Sequence, residues 1–260
     1  MVGKLNFQIF VWLGKVFLMT SNVILNSLTL VDEFGVDDKI SEIINSDESI
    51  TVGFLNQHGF NLAHSNSNVY GDFSDIDYLL RDGKGIEIAC RYFNIDPKGN
   101  MNGTDFIPKI ISELNHSFHK TNFFAYGTTN PWLNRGASNL FKTDDFHSLD
   151  GFKCDDEYIK NFSSKESDKL NVVVLAMGMP KQERIAKKIK YIAKNRTIII
   201  CGGAILDFQS YRIDRAPNVF QSHGFEWLYR LVREPKRLFS RYVIGIPMFF
   251  YKLFVLKAQR

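Results

Sequence analysis

Cysteine is scarce: Cys90, Cys154 and Cys201 are the only three in 260 residues. They are odd in number, far apart and without metal-ligand or redox spacing, which excludes a disulfide scaffold and points to a reducing, cytosolic setting. No Gly-x-Gly-x-x-Gly fingerprint and no Walker lysine loop occurs, which argues against an ordinary dinucleotide or nucleoside-triphosphate enzyme. No acidic pair with Asp-x-Asp spacing falls near a candidate site, so chemistry without a metal ion or other cofactor is expected. Long apolar runs are missing too. Leu5 to Met19 is broken by Lys15 and has no small-residue cleavage site, so it does not read as a signal peptide. Tyr242 to Leu256 carries Pro247 and Lys252 and falls short of the roughly 20 residues a bilayer span needs. Neither is expected to cross a membrane, although either could lie on one.

What is present fits a soluble globular chain: 45% apolar and 23% charged residues, enough to bury a full core. The net charge of +4 is unevenly spread. Residues 227–260 hold eight Lys/Arg against Glu234 alone, a net of +7, which leaves the rest near −3. A weakly acidic body with a basic tail implies an anionic partner for the tail: membrane surface, phosphate ligand or nucleic acid.

The chain is organised around residues 171–183. Val172 to Leu175 is a continuous apolar run, as in a strand buried on both faces of a parallel sheet. Gly178 allows a turn, and Pro180 suits the first position of a helix. A strand that stops at glycine and launches a helix leaves orphan amides at the sheet's C-terminal edge, where open α/β sheets bind ligands and anions are favoured. Lys181, Gln182 and Glu183 add a cation, an amide and a carboxylate within one turn. An ordinary strand–turn–helix with exposed polar residues would give the same pattern.

Elsewhere the same alternation recurs. Val36 to Ile44 has helical spacing; Ile50 to Leu55 reads as a strand, with a helix after Asn56. Tyr78 to Leu80 leads into Arg81-Asp82-Gly83-Lys84-Gly85, a polar turn before the apolar run Ile86 to Cys90. Thr104 and Asp105 can cap a helix through Leu114. Thr121 to Tyr126 is a strand ending at Gly127, Phe146 to Leu149 a short strand, Asp155 to Phe162 a helix, and Thr197 to Cys201 a strand ending at Gly202-Gly203. The pattern predicts an α/β fold: a Rossmann-like, mostly parallel sheet covered by helices, with a basic, partly apolar helical C-terminal appendage. Three regions are expected: an N-terminal segment over 1–49 with some helical spacing, an α/β catalytic domain over 50–220, and the appendage over 221–260.

In that appendage Arg230, Arg233, Arg237 and Arg241 are spaced by three and four, so a helix lines them along one face. Leu228, Leu231, Val232, Leu238 and Phe239 line the other, and Pro235 divides the stretch into two short helices. A solvated basic face on a packed helix is one reading. The apolar stretch to Leu256 favours an interfacial helix instead.

The ordered pieces Leu175-Ala-Met-Gly-Met-Pro-Lys-Gln-Glu, Gly202-Gly-Ala with Asp207-Phe208, Arg215-Ala-Pro, Glu226-Trp-Leu-Tyr-Arg, Arg233-Glu-Pro-Lys-Arg and Arg241-Tyr resemble the WecG/TagA/CpsF glycosyltransferases, glycosyltransferase family 26. Upstream, Asp82-Gly83-Lys84-Gly85 and Gly103-Thr104-Asp105 are similar to two further motifs of that family, so the resemblance runs from about Ile50 to about Pro247. It implies an inverting transferase that moves a hexose-type sugar, of the N-acetylmannosamine, uronic acid or glucose class, from a UDP-sugar donor. The acceptor it implies is a polyprenyl-diphosphate-linked saccharide in bacterial cell-surface polysaccharide biosynthesis, such as teichoic acid or exopolysaccharide. It also implies a peripheral position on the cytoplasmic face of the cell membrane.

The family's catalytic base falls on Asp82, and inversion does need one carboxylate to take the proton of the attacking hydroxyl; an Asp-Gly turn is the commoner meaning of that dipeptide. Gly83, Gly127, Gly178 and Gly203 would allow close approach, and Asn56 and Gln57 are further contacts. Lys181 adds a cation. Gln182 suits uracil or ribose, and Glu183 either accepts a ribose hydroxyl or favours the helix N-terminus. Asp207 is a second polar contact or a loop cap. Arg215, Arg230, Arg233 and Arg237 are expected to hold the departing diphosphate, unless Arg230 and Arg233 pair with Glu226 or Glu234. One departure stands out: where many relatives carry a threonine two residues before the asparagine, this chain has Phe54, so donor recognition by that hydroxyl does not carry over. A nonenzymatic membrane- or nucleic-acid-binding module using the basic tail is the competing reading. Nucleic acid is disfavoured because aromatic residues do not interleave with basic ones on a sheet face. The oligomeric state is left open.

Overall fold

The computed structural model describes residues 23–118, 120–217, 220 and 226–259, Arg237 for its backbone only. The stretch Leu5 to Met19 lies outside the described residues. In chain order the elements begin with β1 (Leu28–Thr29), α1 (Val36–Asn45), β2 (Ile50–Leu55), α2 (Gln57–Ala63), α3 (Ser67–Ser74) and β3 (Tyr78–Arg81). Next come α4 (Gly83–Tyr92), α5 (Gly103–Ser117), β4 (Thr121–Gly127), α6 (Trp132–Phe141), β5 (His147–Leu149) and α7 (Asp155–Lys165). The last are β6 (Leu170–Ala176), α8 (Lys181–Ile192), β7 (Thr197–Cys201), α9 (Ile205–Gln209), α10 (Glu226–Arg233), α11 (Pro235–Phe239) and α12 (Gly245–Ala258). A short π-helical turn, Ser240–Ile244, joins α11 to α12.

The seven strands form one sheet in the order β1-β3-β2-β7-β6-β4-β5, and every pairing is parallel. The inner strands β2, β6 and β7 are buried at every position, which is why they read as unbroken apolar runs. Side chains alternate between two cores. Val172 and Val174 face a layer built from α1, α5, α6 and α9, with Ile107, Leu133 and Leu206 at its centre. Val173 and Leu175 face the other layer, where Phe60, Phe162 and Ile185 pack from α2, α7 and α8. Because β4 sends its helix to the first layer and β6 to the second, the neighbouring strands β4 and β6 form a switch point. β7 and β2 diverge in the same way. A crevice must open above the carboxyl ends of these strands.

Gly127 closes β4 opposite Ala176 of β6, and a Cβ there would lie 2.3 Å from the Ala176 carbonyl oxygen. The strands can only stay paired if that residue has no side chain. Gly127→Ala is expected to destabilise the fold by about 1–3 kcal/mol, read as a lowered midpoint in urea denaturation.

Three boundaries differ from the sequence expectation. Asn102, not Thr104 or Asp105, caps α5, its side-chain oxygen accepting from the Asp105 N–H at 3.0 Å. The polar turn after β3 is shorter than expected, since α4 already begins at Gly83 and only Asp82 separates strand from helix. Pro180 precedes the first residue of α8 rather than starting it. The division at Pro235 is as expected, with proline at the first position of α11.

The apolar C-terminal stretch is not wholly free to lie on a surface. Phe249, Leu253 and Leu256 are buried in the second core, with Phe249 edge-on to Phe60 at 5.1 Å. Gln57 Nε2 and Asn61 Nδ2 both donate to the Gly245 carbonyl at 2.7 Å, fixing the start of α12 against α2. Lys252, which read as an interruption of the run, is 4% exposed; its ammonium donates to the Asn61 carbonyl and the Ser65 hydroxyl, and burial holds it down to about 8. The opposite face, with Ile244, Met248, Tyr251 and Phe254, is exposed. Among the described residues no helix is long and apolar enough to cross a membrane.

Candidate active site

A cavity of about 680 Å³ opens above the carboxyl ends of β2, β3, β4, β6 and β7. Its sheet side is made of residues from the turns that leave each strand: Asn56, Asp82, Thr128, Gly178 and Met179, and Gly202 to Ala204. Its other side comes from the C-terminal helices, as Tyr229, Arg230, Arg233, Glu234 and Arg241. Gly178 turns the chain out of β6 at φ +83°, a conformation that side chains oppose, and so directs the first turn of α8 into the cavity. The start of α8 and the arginines of the C-terminal helices then border one space, a setting suited to an anion.

Asp82 comes directly after β3 and is tied to β2 by its N–H, which donates to the Leu55 carbonyl at 2.9 Å. Behind it Arg81 is buried and donates to the carbonyls of Pro97 and Gly99 at 2.8 and 3.0 Å, which fixes the loop under the carboxylate. Asp82 lines the cavity and is half-buried there. Burial, with Glu226 adding like charge, pushes its carboxyl up to about 6, while a hydrogen bond from Asn56 and the charges of Arg241 and Arg230 hold it from going further. Above pH 6 the group is therefore mostly ionised and a stronger base than an exposed aspartate. Asn56 also caps α2, accepting from the N–H groups of His58 and Gly59 at 3.1 Å. His58 lines the cavity as a neutral imidazole, held down to about 4 by burial and by Arg241.

Gln182 reaches the wall with both ends engaged. Its Oε1 accepts from the Gly203 N–H at 3.0 Å, and its Nε2 donates to Glu183 Oε1 at 2.8 Å. Glu183 is fully buried, which pushes its carboxyl up to about 7, and it does not border the cavity. Asp207 accepts from Thr128 Oγ1 at 2.7 Å and from Arg212 Nη1 at 3.2 Å, a cluster on the same wall.

Of the residues singled out in the sequence, Asp82, Asn56, Gly178, Gln182, Gly203, Asp207, Arg230 and Arg233 border this cavity. Others lie elsewhere. Gln57 is spent on the Gly245 carbonyl, and Gly83 gives its N–H to Asn100. Lys181 turns away: its ammonium donates to the carbonyls of Gly151 and Lys153, at 3.0 and 2.6 Å, and sits over the Tyr158 ring. Gly127 is a packing position, and Arg215 makes a two-pronged pair with Asp105. The Arg237 side chain lies outside the described residues. Neither Glu226 nor Glu234 forms an ion pair with Arg230 or Arg233 among the described residues; Arg233 lies 3.9 Å from Asp214, and Arg230 covers the Phe208 ring at 5.4 Å. Phe54 borders the cavity too, edge-on to Phe106.

Sequence reasoning passed over His58, Thr128 and Arg212 as site residues. Thr128 sits in the turn directly after β4, and that position was the available signal. Arg212 belongs to no recognisable motif. Arg241 was part of the arginine row but was not counted among the ligand contacts.

Fold and cavity together define a doubly wound α/β protein whose cavity, above the carboxyl ends of the strands, is bordered by Asp82 and by Arg230, Arg233 and Arg241. The description "Glycosyl transferase WecG/TagA/CpsF family" matches residues 22–260. The chain is 26% identical over 192 residues to the N-acetylglucosaminyldiphosphoundecaprenol N-acetyl-beta-D-mannosaminyltransferase of Bacillus spizizenii strain W23, covering 72% of this chain and 71% of that protein. It is 24% identical over 229 residues to the protein of the same name from Bacillus subtilis strain 168, covering 86% and 83%. The chain belongs to the WecG/TagA/CpsF family and is a glycosyltransferase.

Proposed function

We propose that this protein is an inverting transferase that moves a hexose-type sugar from a UDP-sugar to a polyprenyl-diphosphate-linked saccharide, for a bacterial surface polysaccharide. The observation that carries the reading is the meeting of Asp82 and the arginines of α10 and the π-helical turn in one cavity above the sheet. The acceptor hydroxyl oxygen attacks the anomeric carbon as the bond from that carbon to the UDP oxygen breaks. Asp82 takes the hydroxyl proton, which makes attack from the face opposite UDP productive and inverts the centre. The charge that develops on the leaving diphosphate falls to Arg230, Arg233 and Arg241 and to the amides that open α8. No metal ion has a role in this scheme. The names of the two Bacillus relatives support an N-acetylmannosamine donor and a diphosphoundecaprenol-linked acceptor. Phe54 at the cavity wall keeps uronic acid and glucose donors in view. The test is incubation with a polyprenyl-diphosphate N-acetylglucosamine acceptor and a mixed UDP-sugar pool, with the consumed donor identified by mass spectrometry. One donor consumed with UDP released is expected; no UDP release from any donor overturns the reading.

The C-terminal appendage is proposed to hold the enzyme on the cytoplasmic membrane face. α12 supports this by burying one side in the protein and leaving Ile244, Met248, Tyr251 and Phe254 exposed on the other. Replacing Tyr251 and Phe254 with serine is expected to weaken sedimentation with anionic vesicles at least about tenfold, since each ring buried in lipid contributes about 1.5–3 kcal/mol. Unchanged sedimentation contradicts the membrane role while leaving the chemistry intact.

A further inference from the structure

Arg215 lies in the segment that leaves α9 for the C-terminal helices, eleven residues before Glu226. Its guanidinium gives Nη1 to Asp105 Oδ1 and Nη2 to Asp105 Oδ2, the fork-to-fork geometry in which both partners lock each other's orientation. Asp105 is itself held: its N–H bonds Asn102 Oδ1, and its Oδ2 accepts from Asn102 Nδ2 at 2.9 Å. It therefore belongs to the rigid first turn of α5, whose Gly103 and Thr104 line the cavity, while Asp105 and Arg215 do not. The preceding residue, Asp214, does line it and lies 3.9 Å from Arg233 of α10. Asp214 and Arg215 thus reach in opposite directions, one toward α10 and one toward the sheet domain. Ala216 beside them is buried. Glu226, at the start of α10, lies within electrostatic reach of both Arg215 and Asp82.

From this arrangement we propose that Asp105 and Arg215 are a positioning pair that seats the C-terminal helices over the cavity. Arg215 thereby acts on the reaction through Arg230, Arg233 and Arg241 and does not touch the diphosphate. The pair is the fixed point, and the Asp214–Arg233 contact is the exchangeable one: a diphosphate arriving at Arg233 replaces Asp214, while Arg215 keeps the segment in place. An exposed ion pair contributes little on its own, but here its geometry is bidentate and the helices it locates carry three cavity-lining arginines. The proposal rests on the donor reading above for its ligand, but not for its structural content.

The full-length chain decides it with three variants, Asp105→Asn, Arg215→Gln and the exchanged pair Asp105→Arg with Arg215→Asp. Each is read by amide hydrogen exchange over residues 226–259 and by titration calorimetry with UDP. Asp105→Asn and Arg215→Gln are expected to speed exchange in α10 and α11 and to weaken UDP binding about five- to tenfold. The exchanged pair is expected to restore both. Arg215→Gln weakening UDP with unchanged exchange, and no rescue by the exchanged pair, would mean that Arg215 is a direct ligand and would overturn the proposal. Should the exchanged pair fail to fold, Asp105→Asn decides alone. Asp105 lies off the cavity, so loss of UDP affinity there supports transmission through Arg215, and unchanged affinity and exchange overturn it. If the wild-type chain binds no UDP, the donor reading fails, and the exchange measurement still decides whether the pair seats the helices.

Discussion

Asp82→Asn is expected to lower UDP release from a competent donor and acceptor by about 10²–10⁴-fold while UDP still binds. The amide keeps the size and the Asn56 contact of the carboxylate but cannot take a proton. Because burial, aided by Glu226, lifts the Asp82 carboxyl to about 6, the wild-type kcat/KM should rise with pH through about 6 as the base ionises. The residual activity of Asp82→Asn should lack that limb. Glu226→Gln removes the like charge and should move the limb to lower pH. The upward shift also fixes the sign of the stability effect. A carboxyl whose folded value exceeds its unfolded value loses stability as pH rises from about 4 to about 6, so Asp82→Asn should be at least as stable as wild type at pH 7. Thermal melts at pH 5 and pH 7 check this. Loss of turnover with full stability separates a catalytic role from a structural one, and full activity in Asp82→Asn would discredit the assigned base.

The second large effect is expected at Arg230. Its guanidinium lies over the Phe208 ring at 5.4 Å, and its Nε is buried with no hydrogen-bond partner among the described residues. A buried donor left unmade costs free energy unless something accepts from it, and a diphosphate oxygen in this cavity would do so. Held before the reaction begins, such a donor stabilises charge as it forms on the leaving group. Arg230→Ala should therefore lower kcat by about 10²–10³-fold, the range found when one preorganised donor is removed. Arg233 is more exposed and already engaged, with Asp214 at 3.9 Å and the Tyr229 hydroxyl at 3.2 Å. Its replacement by alanine should raise KM more than it lowers kcat. Steady-state kinetics on both variants distinguishes the two arginines, and equal small effects would argue against Arg230 as the principal charge stabiliser.

The parallel sheet was legible because β2, β6 and β7 are buried on both faces and so leave continuous apolar runs with glycine at their ends. Two-residue β1 and helix α3 have no such periodicity, since their contacts come from distant segments. The position of Asp82 was legible through the short strand before it and the family's motif. Which polar residues face the cavity was not. Gln57, Lys181 and Glu183 each have the chemistry for a ligand contact, but Gln57 and Lys181 are consumed by partners remote in sequence: Gly245 for Gln57, Gly151 and Lys153 for Lys181. For Glu183 it is burial between α8 and β7 that removes it. Arg215 is the same lesson with opposite consequence, because its partner Asp105 lies 110 residues away. Helical spacing put Arg230 and Arg241 in one row; they border the same cavity from separate elements, α10 and the π-helical turn, which α12 docked against α2 helps to hold there.

A structure of the protein with UDP bound tests the shared cavity most directly. The diphosphate is expected against Gly178 and the start of α8, within hydrogen-bond reach of the Arg230 and Arg241 guanidinium groups, with the Asp82 carboxylate facing the space where the sugar's anomeric carbon would sit. UDP seated away from the carboxyl ends of the strands, or with Asp82 on the far side of the diphosphate from the sugar space, would contradict it.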